Sequence, residues 1–172
     1  MKCYRDALGP LPSVVKFNKL LTVVTKMKHF TCSLDLFKQM CSLGVPVSKY
    51  SMNIAIKCCC QLYRTNDGFA VLGCCFRRAI APDVFTFSII LNGLVLEDKI
   101  LEAEKLFKKL IKQKLCEPNV VMYSIMIKGL CKFGNGWKRL LGRCYDLIVV
   151  NRSDRSCEIA TLQNTSSREE KP

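Results

Sequence analysis

At four points spaced 35 or 36 residues apart, an apolar or aromatic residue is followed directly by Asn or Ser: Phe17-Asn18, Met52-Asn53, Phe87-Ser88 and Tyr123-Ser124. A side-chain amide or hydroxyl offers a donor and an acceptor on a short stem, which is what pairing with the edge of a nucleic-acid base requires. Counted at helical spacing, each belongs to a longer series. These are Val15, Asn18, Thr22, Lys26; Tyr50, Asn53, Lys57, Gln61; Phe85, Ser88, Asn92, Leu96; and Val121, Ser124, Lys128, Lys132. An apolar wall, then a hydrogen-bonding group, then a cation suits a base face, its edge and its phosphate. The solvated side of a helix would look similar, but the recurrence of the same order in successive copies favours a ligand strip.

Other chemistries find less support. The chain has 12 cysteines, yet Cys58, Cys59 and Cys60 are consecutive, Cys74 and Cys75 are adjacent, and no C-x-x-C pair occurs. With His29 the only histidine, a zinc site of two cysteines and two histidines cannot be assembled, and no spacing suggests an all-cysteine site. The sequence does not open with a secretory signal, so the thiols read as small packing residues in a reducing compartment. No nucleophile is paired with a base and no glycine-rich phosphate loop is present. An enzyme, a metal, a cofactor and a small-molecule substrate are therefore not expected.

Charge points to an anionic partner. Lys and Arg number 27 against 14 Asp and Glu, a net charge of +13, which favours nucleic acid or an acidic surface, although it also serves solubility. No apolar run approaches the roughly 18 residues of a membrane span, so no membrane partner is expected. The opening stretch from Met1 to Pro12 lacks the character of an amphipathic targeting presequence.

These residues are positioned by a repeat, because a fixed period of this length signals stacked supersecondary units. The copies run 14–48, 49–83 and 84–119, with a fourth beginning at Val120. At places 4, 7, 8 and 11 of each copy stand Phe17, Leu20, Leu21, Val24; Met52, Ala55, Ile56, Cys59; Phe87, Ile90, Leu91, Leu94; and Tyr123, Met126, Ile127, Leu130. That spacing predicts an amphipathic first helix in every copy. Places 17, 20, 24 and 27 predict a second: Phe30, Ser33, Phe37, Met40; Thr65, Gly68, Leu72, Cys75; and Ile100, Ala103, Phe107, Leu110. The small residue at place 20 should allow close helix approach. Gly44, Pro46, Pro82 and Pro118 stand where the copies end. The expected fold is all-α, a solenoid of helix-turn-helix repeats.

Asn or Ser at place 5, Leu-Cys-Lys at places 11 to 13, a small residue at place 20 and Pro-Asp at the close resemble pentatricopeptide repeats. The carrying stretches are Gly129-Leu130-Cys131-Lys132 and Ala81-Pro82-Asp83-Val84-Phe85-Thr86-Phe87-Ser88, echoed by Pro118-Asn119-Val120-Val121-Met122-Tyr123-Ser124. Pro12-Ser13-Val14-Val15-Lys16-Phe17-Asn18-Lys19-Leu20-Leu21 and Met27-Lys28-His29-Phe30 further resemble early repeats of plant restorer-of-fertility-like members, of the P class. The resemblance covers about 13–134. It implies a right-handed α-solenoid that binds single-stranded RNA, one base per repeat, in concert with RNA-processing proteins and in mitochondria, with chloroplast or cytoplasm as alternatives.

By the same resemblance, bases are read by place 5 with the last residue of the repeat: Asn18 with Ser48, Asn53 with Asp83, Ser88 with Asn119, and Ser124 without a partner. The family's code implies a pyrimidine leaning to C, then U, then A. Val15, Tyr50, Phe85 and Val121 would be stacking walls, and Lys26 and Lys132 would face phosphates. The dense stripe Lys105, Lys108, Lys109 and Lys112 falls on a second helix, the outer wall in this family, and is assigned to solvation.

The pattern weakens towards both ends. Pro12-Ser13 resembles the close of an earlier repeat, so 1–13 reads as a remnant. After Gly134-Asn135-Gly136, Trp137, Leu140, Leu141, Cys144 and Ile148 sit one residue out of register, so 120–150 reads as a partial fourth repeat or cap. The polar stretch 151–172 is expected to be a disordered tail. A truncated product is expected. Competing functions are a helical-repeat scaffold for proteins, which the polar strip with Lys26 and Lys132 argues against, and an inactive truncated product.

Overall fold

The computed structural model describes residues 13–132. Among them are seven α-helices and no strand: α1 (Val14–Lys26), α2 (Phe30–Ser42), α3 (Lys49–Gln61), α4 (Thr65–Arg77), α5 (Val84–Leu96), α6 (Ile100–Lys112) and α7 (Val120–Lys132). The expected remnant before residue 13, the apolar series from Trp137 to Ile148 and the tail from 151 lie outside the described residues.

Local chemistry sets where the helices begin and end. Ser48 caps α3, its Oγ accepting from the Ser51 N–H at 3.2 Å while its own N–H donates to Ser51 Oγ at 2.9 Å. Asp83 and Thr86 form the same reciprocal box at the start of α5, satisfying amide donors that no helical carbonyl can reach. After the first helices the backbone enters the left-handed region at Lys28, Tyr63 and Asp98, and after the second helices at Gly44, Ala79 and Lys114. There the amide of the left-handed residue and the one after it reach back to the last turn. Tyr63 N–H donates to Cys60 O at 3.2 Å and Arg64 N–H to Cys59 O at 2.9 Å, a pair of hydrogen bonds that stops a helix sharply. The turns therefore repeat with the same period as the helices. The extra residue of the third copy falls in the loop 115–119, so the helices keep their register.

No helix pair can cover its own apolar face, so each first helix sinks between neighbours. Helix α3 packs against α1, α2, α4 and α5, and α5 packs against α3, α4, α6 and α7. Two core clusters result. One joins Phe17, Leu21 and Phe37 to Met52, and the other joins Ile56 and Leu91 to Phe107 and Met126. The Phe107 and Tyr123 rings meet edge to face with centroids 5.4 Å apart, carrying the second cluster across a repeat boundary.

The predicted apolar face holds inside the array and fails at its ends. At place 7, Ala55, Ile90 and Met126 are buried while Leu20 is 47% exposed, and Ile127 is 44% exposed on the last described helix. A face that depends on the adjacent repeat is left bare where no such repeat is described.

Ser33, Gly68 and Ala103 at place 20 are all buried, but the tightest contact lies elsewhere. A Cβ built on Gly68 would sit 3.6 Å from Ile56 Cγ2, an ordinary contact, whereas one on Gly93 would stand 2.4 Å from Cys60 Sγ and 2.8 Å from Cys60 Cβ. Gly129 is equally confined, with a Cβ 2.8 Å from both Ile100 Cδ1 and Val95 Cγ2. Close approach is thus between successive first helices. A carboxylate adds a polar clasp: Glu97 Oε1 accepts from the Thr65 N–H at 2.6 Å, capping α4 of the preceding repeat, and Lys99 holds its other oxygen at 2.6 Å. Burial raises the Glu97 carboxyl, yet the bonds from Lys99 and Thr65 outweigh it and leave the group below the usual range.

The cysteines pack. Cys58, Cys59 and Cys60 are buried, and burial pushes the Cys59 thiol to about 11 and that of Cys60 to about 12, so both stay protonated and unreactive near neutrality. No group of three or more His, Cys, Asp or Glu among the described residues could hold a metal ion.

Chemical denaturation should separate the two glycines. Gly93→Ala is expected to lose about 1–3 kcal/mol because Cys60 has nowhere to move, whereas Gly68→Ala should be neutral or gain up to about 1 kcal/mol from helix propensity.

Candidate nucleic-acid interface

The faces of α1, α3, α5 and α7 that are not used for packing form one continuous strip. Val15, Tyr50, Phe85 and Val121 occupy the second residue of these helices and are 60%, 52%, 60% and 55% exposed. Four apolar side chains held out at the same point of four stacked helices contribute nothing to the core. Between Tyr50 and Phe85 lies a groove of about 190 Å³ lined also by Thr22, Lys26, Asn53 and Lys57, among others. The Tyr50 hydroxyl is 2.9 Å from Thr22 Oγ1, which itself donates to Asn18 O at 2.6 Å, so the phenol is the donor and the ring is fixed against α1.

The polar residues predicted to read bases fall into three different arrangements. Asn18 is half-buried, and its Nδ2 donates to Ser48 Oγ at 3.4 Å, so the first pair is in direct contact. The second pair is linked through a third residue. The Thr86 hydroxyl lies 2.9 Å from Asn53 Oδ1 and 3.0 Å from Asp83 Oδ1, and Asp83 Oδ1 also accepts the Thr86 N–H at 3.0 Å. Asn53 is only 7% exposed, at the floor of the groove. The third pair is not joined by a hydrogen bond. Ser88, 6% exposed, donates to Val84 O at 2.7 Å, and Asn119 Oδ1 accepts the Met122 N–H at 3.0 Å. Ser124 is exposed and donates to Val120 O at 2.8 Å.

Ser48, Asp83 and Asn119, the last residues predicted to read bases, are therefore also the caps of the following helices. This sets the charge of Asp83. Burial raises its carboxyl, but the backbone and hydroxyl bonds from Thr86 and the Lys49 ammonium at 3.4 Å prevail and hold it below the ordinary value. It stays ionised at neutral pH, an acceptor only.

Lys26 and Lys132 are exposed at the ends of α1 and α7, and Lys26 lines the groove. Lys57 lines it too and was not singled out from the sequence, although it stands at place 9 of the same series. Thr86 was also missed. Its signal was the Asp-x-x-Thr spacing of a capping box, legible as a helix start but not as a link to Asn53 in another helix. In the outer stripe, Lys105, Lys109 and Lys112 are exposed, while Lys108 pairs with the buried Glu104 one turn away.

Comparison with known proteins bears on the architecture. The sequence profile of the PPR repeat family matches residues 12–61 and 82–132. A putative mitochondrial pentatricopeptide repeat-containing protein of Arabidopsis thaliana is 36% identical over 94 residues, 55% of this chain and 16% of that protein. A second mitochondrial member from the same plant is 42% identical over 52 residues, 30% of this chain and 8% of that protein. The chain thus spans a minor part of the length of its curated relatives. Among solved structures, the maize pentatricopeptide repeat protein PPR10 superposes with a TM-score of 0.67 at 17% identity, covering 87% of this chain and 22% of that one. PPR10 in complex with an 18-nt psaJ RNA element gives 0.68 at 16% identity, covering 84% and 21%. At that identity the likeness establishes an all-α helical-repeat solenoid.

The Asp83 cap has a pH signature. Its folded-state carboxyl titrates below the unfolded one, so its stabilisation is complete above the ordinary carboxylate range and disappears as pH falls through the lowered folded value. Asp83→Asn, which keeps a capping oxygen but removes the charge, should cost about 0.3–1 kcal/mol at pH 7 and low salt. The difference in Tm between the variant and the wild type should close as the pH is taken down through the acid range.

Proposed function

The chain belongs to the pentatricopeptide repeat family, and we propose that it binds single-stranded RNA along the strip formed by its first helices, one base per repeat. The observation that carries this is the alignment of Val15, Tyr50, Phe85 and Val121, all more than half exposed, beside a groove floored by Asn53 and flanked by Lys26 and Lys57. Apolar side chains at fixed intervals form slots for flat bases. Between the walls, Asn18 with Ser48 and Asn53 with Asp83 present amide, hydroxyl and carboxylate groups to a base edge, and Ser88 with Asn119 and then Ser124 continue the series. Lys26, Lys57 and Lys132 neutralise phosphates, helped by the net charge of +13.

Action is by binding, with no chemical step of its own. The protein occludes or stabilises a transcript, or brings processing proteins to it. The mitochondrial names of its relatives support an organellar RNA as the target, and the early-repeat motifs favour the P class with restorer-like character. With three or four bases contacted, affinity is modest and rests on the aromatic walls of Tyr50 and Phe85.

Anisotropy titrations with labelled single-stranded RNA containing CUA or UUA should show binding that weakens with salt, by a logarithmic slope of about −0.7 per phosphate engaged. Tyr50→Ala and Phe85→Ala should each lose about 1–3 kcal/mol of binding. Absence of binding, or equal binding by Asn53→Ala combined with Tyr50→Ala, would refute base reading on this face.

A further inference from the structure

We infer that Thr86 is a positioning residue that concentrates base selection at the second repeat, an inference that rests on the RNA-binding reading above. Thr86 is 1% exposed and belongs to the third repeat, yet its hydroxyl reaches 2.9 Å to Asn53 Oδ1 in the second. An Asn side chain is nearly symmetric in shape. Turning its amide by half a revolution exchanges donor for acceptor and inverts what a base edge meets. The atom that faces the Thr86 hydroxyl is the amide oxygen of Asn53, which can only accept, so what Thr86 offers Asn53 is its proton. That proton fixes Oδ1 on the protein side and leaves Nδ2, a donor, for the groove that Asn53 floors. Asp83 Oδ1 stands 3.0 Å from the same hydroxyl, so the one proton is shared between the two acceptors as a bifurcated bond and both partners of the pair are held by one buried group.

The neighbouring repeats lack this device. Ser51 is the counterpart of Thr86 one repeat earlier, but its hydroxyl donates to Ser48 O at 2.9 Å instead of reaching Asn18. Asn18 Oδ1 is buried without a hydrogen-bond partner, and its amide is held by the single 3.4 Å contact to Ser48. At the next boundary the counterpart is Met122, which has no hydroxyl, and the Ser88 proton is given to Val84 O. Of the three pairs, only Asn53 with Asp83 has a fixed donor pattern before RNA arrives, and a fixed pattern discriminates where a rotating one adapts.

The test uses the full chain and four RNAs identical except for the base facing the second repeat. Wild type is expected to favour one base, U, by about tenfold, the scale of one well-made buried hydrogen bond to a charged or oriented group. Thr86→Val should bring the four affinities within about threefold of each other while leaving the salt slope unchanged. A Thr86→Val variant that retains the ranking, or that weakens all four RNAs equally, overturns the inference and reduces Thr86 to a helix cap. Wild type that binds RNA with no preference at this base refutes the positioning role while stacking stands, whereas wild type that binds none refutes the RNA reading itself. Should Thr86→Val fail to fold, the Thr86 hydroxyl proton in free wild type is the measure. It should be protected from solvent exchange and lie close to Asn53 by NMR, and a freely exchanging hydroxyl overturns the proposal.

Discussion

The contact on which the rest depends is the near-touching of successive first helices. Gly93 on α5 lies against Cys60 on α3, and Gly129 on α7 lies against Val95 and Ile100. A side chain at either glycine would hold the helices apart, and the apolar layer behind them, from Ile56 to Met126, would no longer close. The same closeness brings a residue of one repeat within hydrogen-bond range of another. Thr86 reaches Asn53 and Glu97 reaches the start of α4 only because α5 sits this near to its predecessors. Packing and recognition therefore share one spacing. The strip of Val15, Tyr50, Phe85 and Val121 has a regular pitch because the helices beneath it do.

The caps tie folding to recognition in a second way. Ser48, Asp83 and Asn119 each end one repeat and start the next helix, so the residue that would face a base is also the one that satisfies free amides. Substituting it changes stability and ligand contact together. Thr86 and Ser51 complete these caps from the first turn of the following helix, and Thr86 also bonds Asn53 directly.

Much of the fold was legible because its signals are local. Helix faces follow from spacing, and α1, α3, α5 and α7 begin at Val14, Lys49, Val84 and Val120, one residue after a polar cap. The left-handed turns were harder to foresee. Only Gly44 among the six positions is glycine, while Lys28, Tyr63, Ala79, Asp98 and Lys114 adopt the same backbone with no sequence sign, held there by the paired amide bonds of the helix ends. The apolar face was read correctly in the middle and over-extended to Leu20 and Ile127, because spacing reports which residues share a face and cannot say whether a neighbour covers it.

The sequence by itself determined the period, the helical register, the polar strip and the identity of its candidate readers, since each is a matter of residue type at fixed intervals along one chain. The tertiary structure alone decided how those readers are held. Asn18 meets Ser48, Asn53 is fixed through Thr86, and Ser88 turns back to its own helix. These differences depend on distances between helices about 30 residues apart in sequence. A hydrogen bond is won or lost over a few tenths of an ångström, and no pattern of residue types specifies that margin.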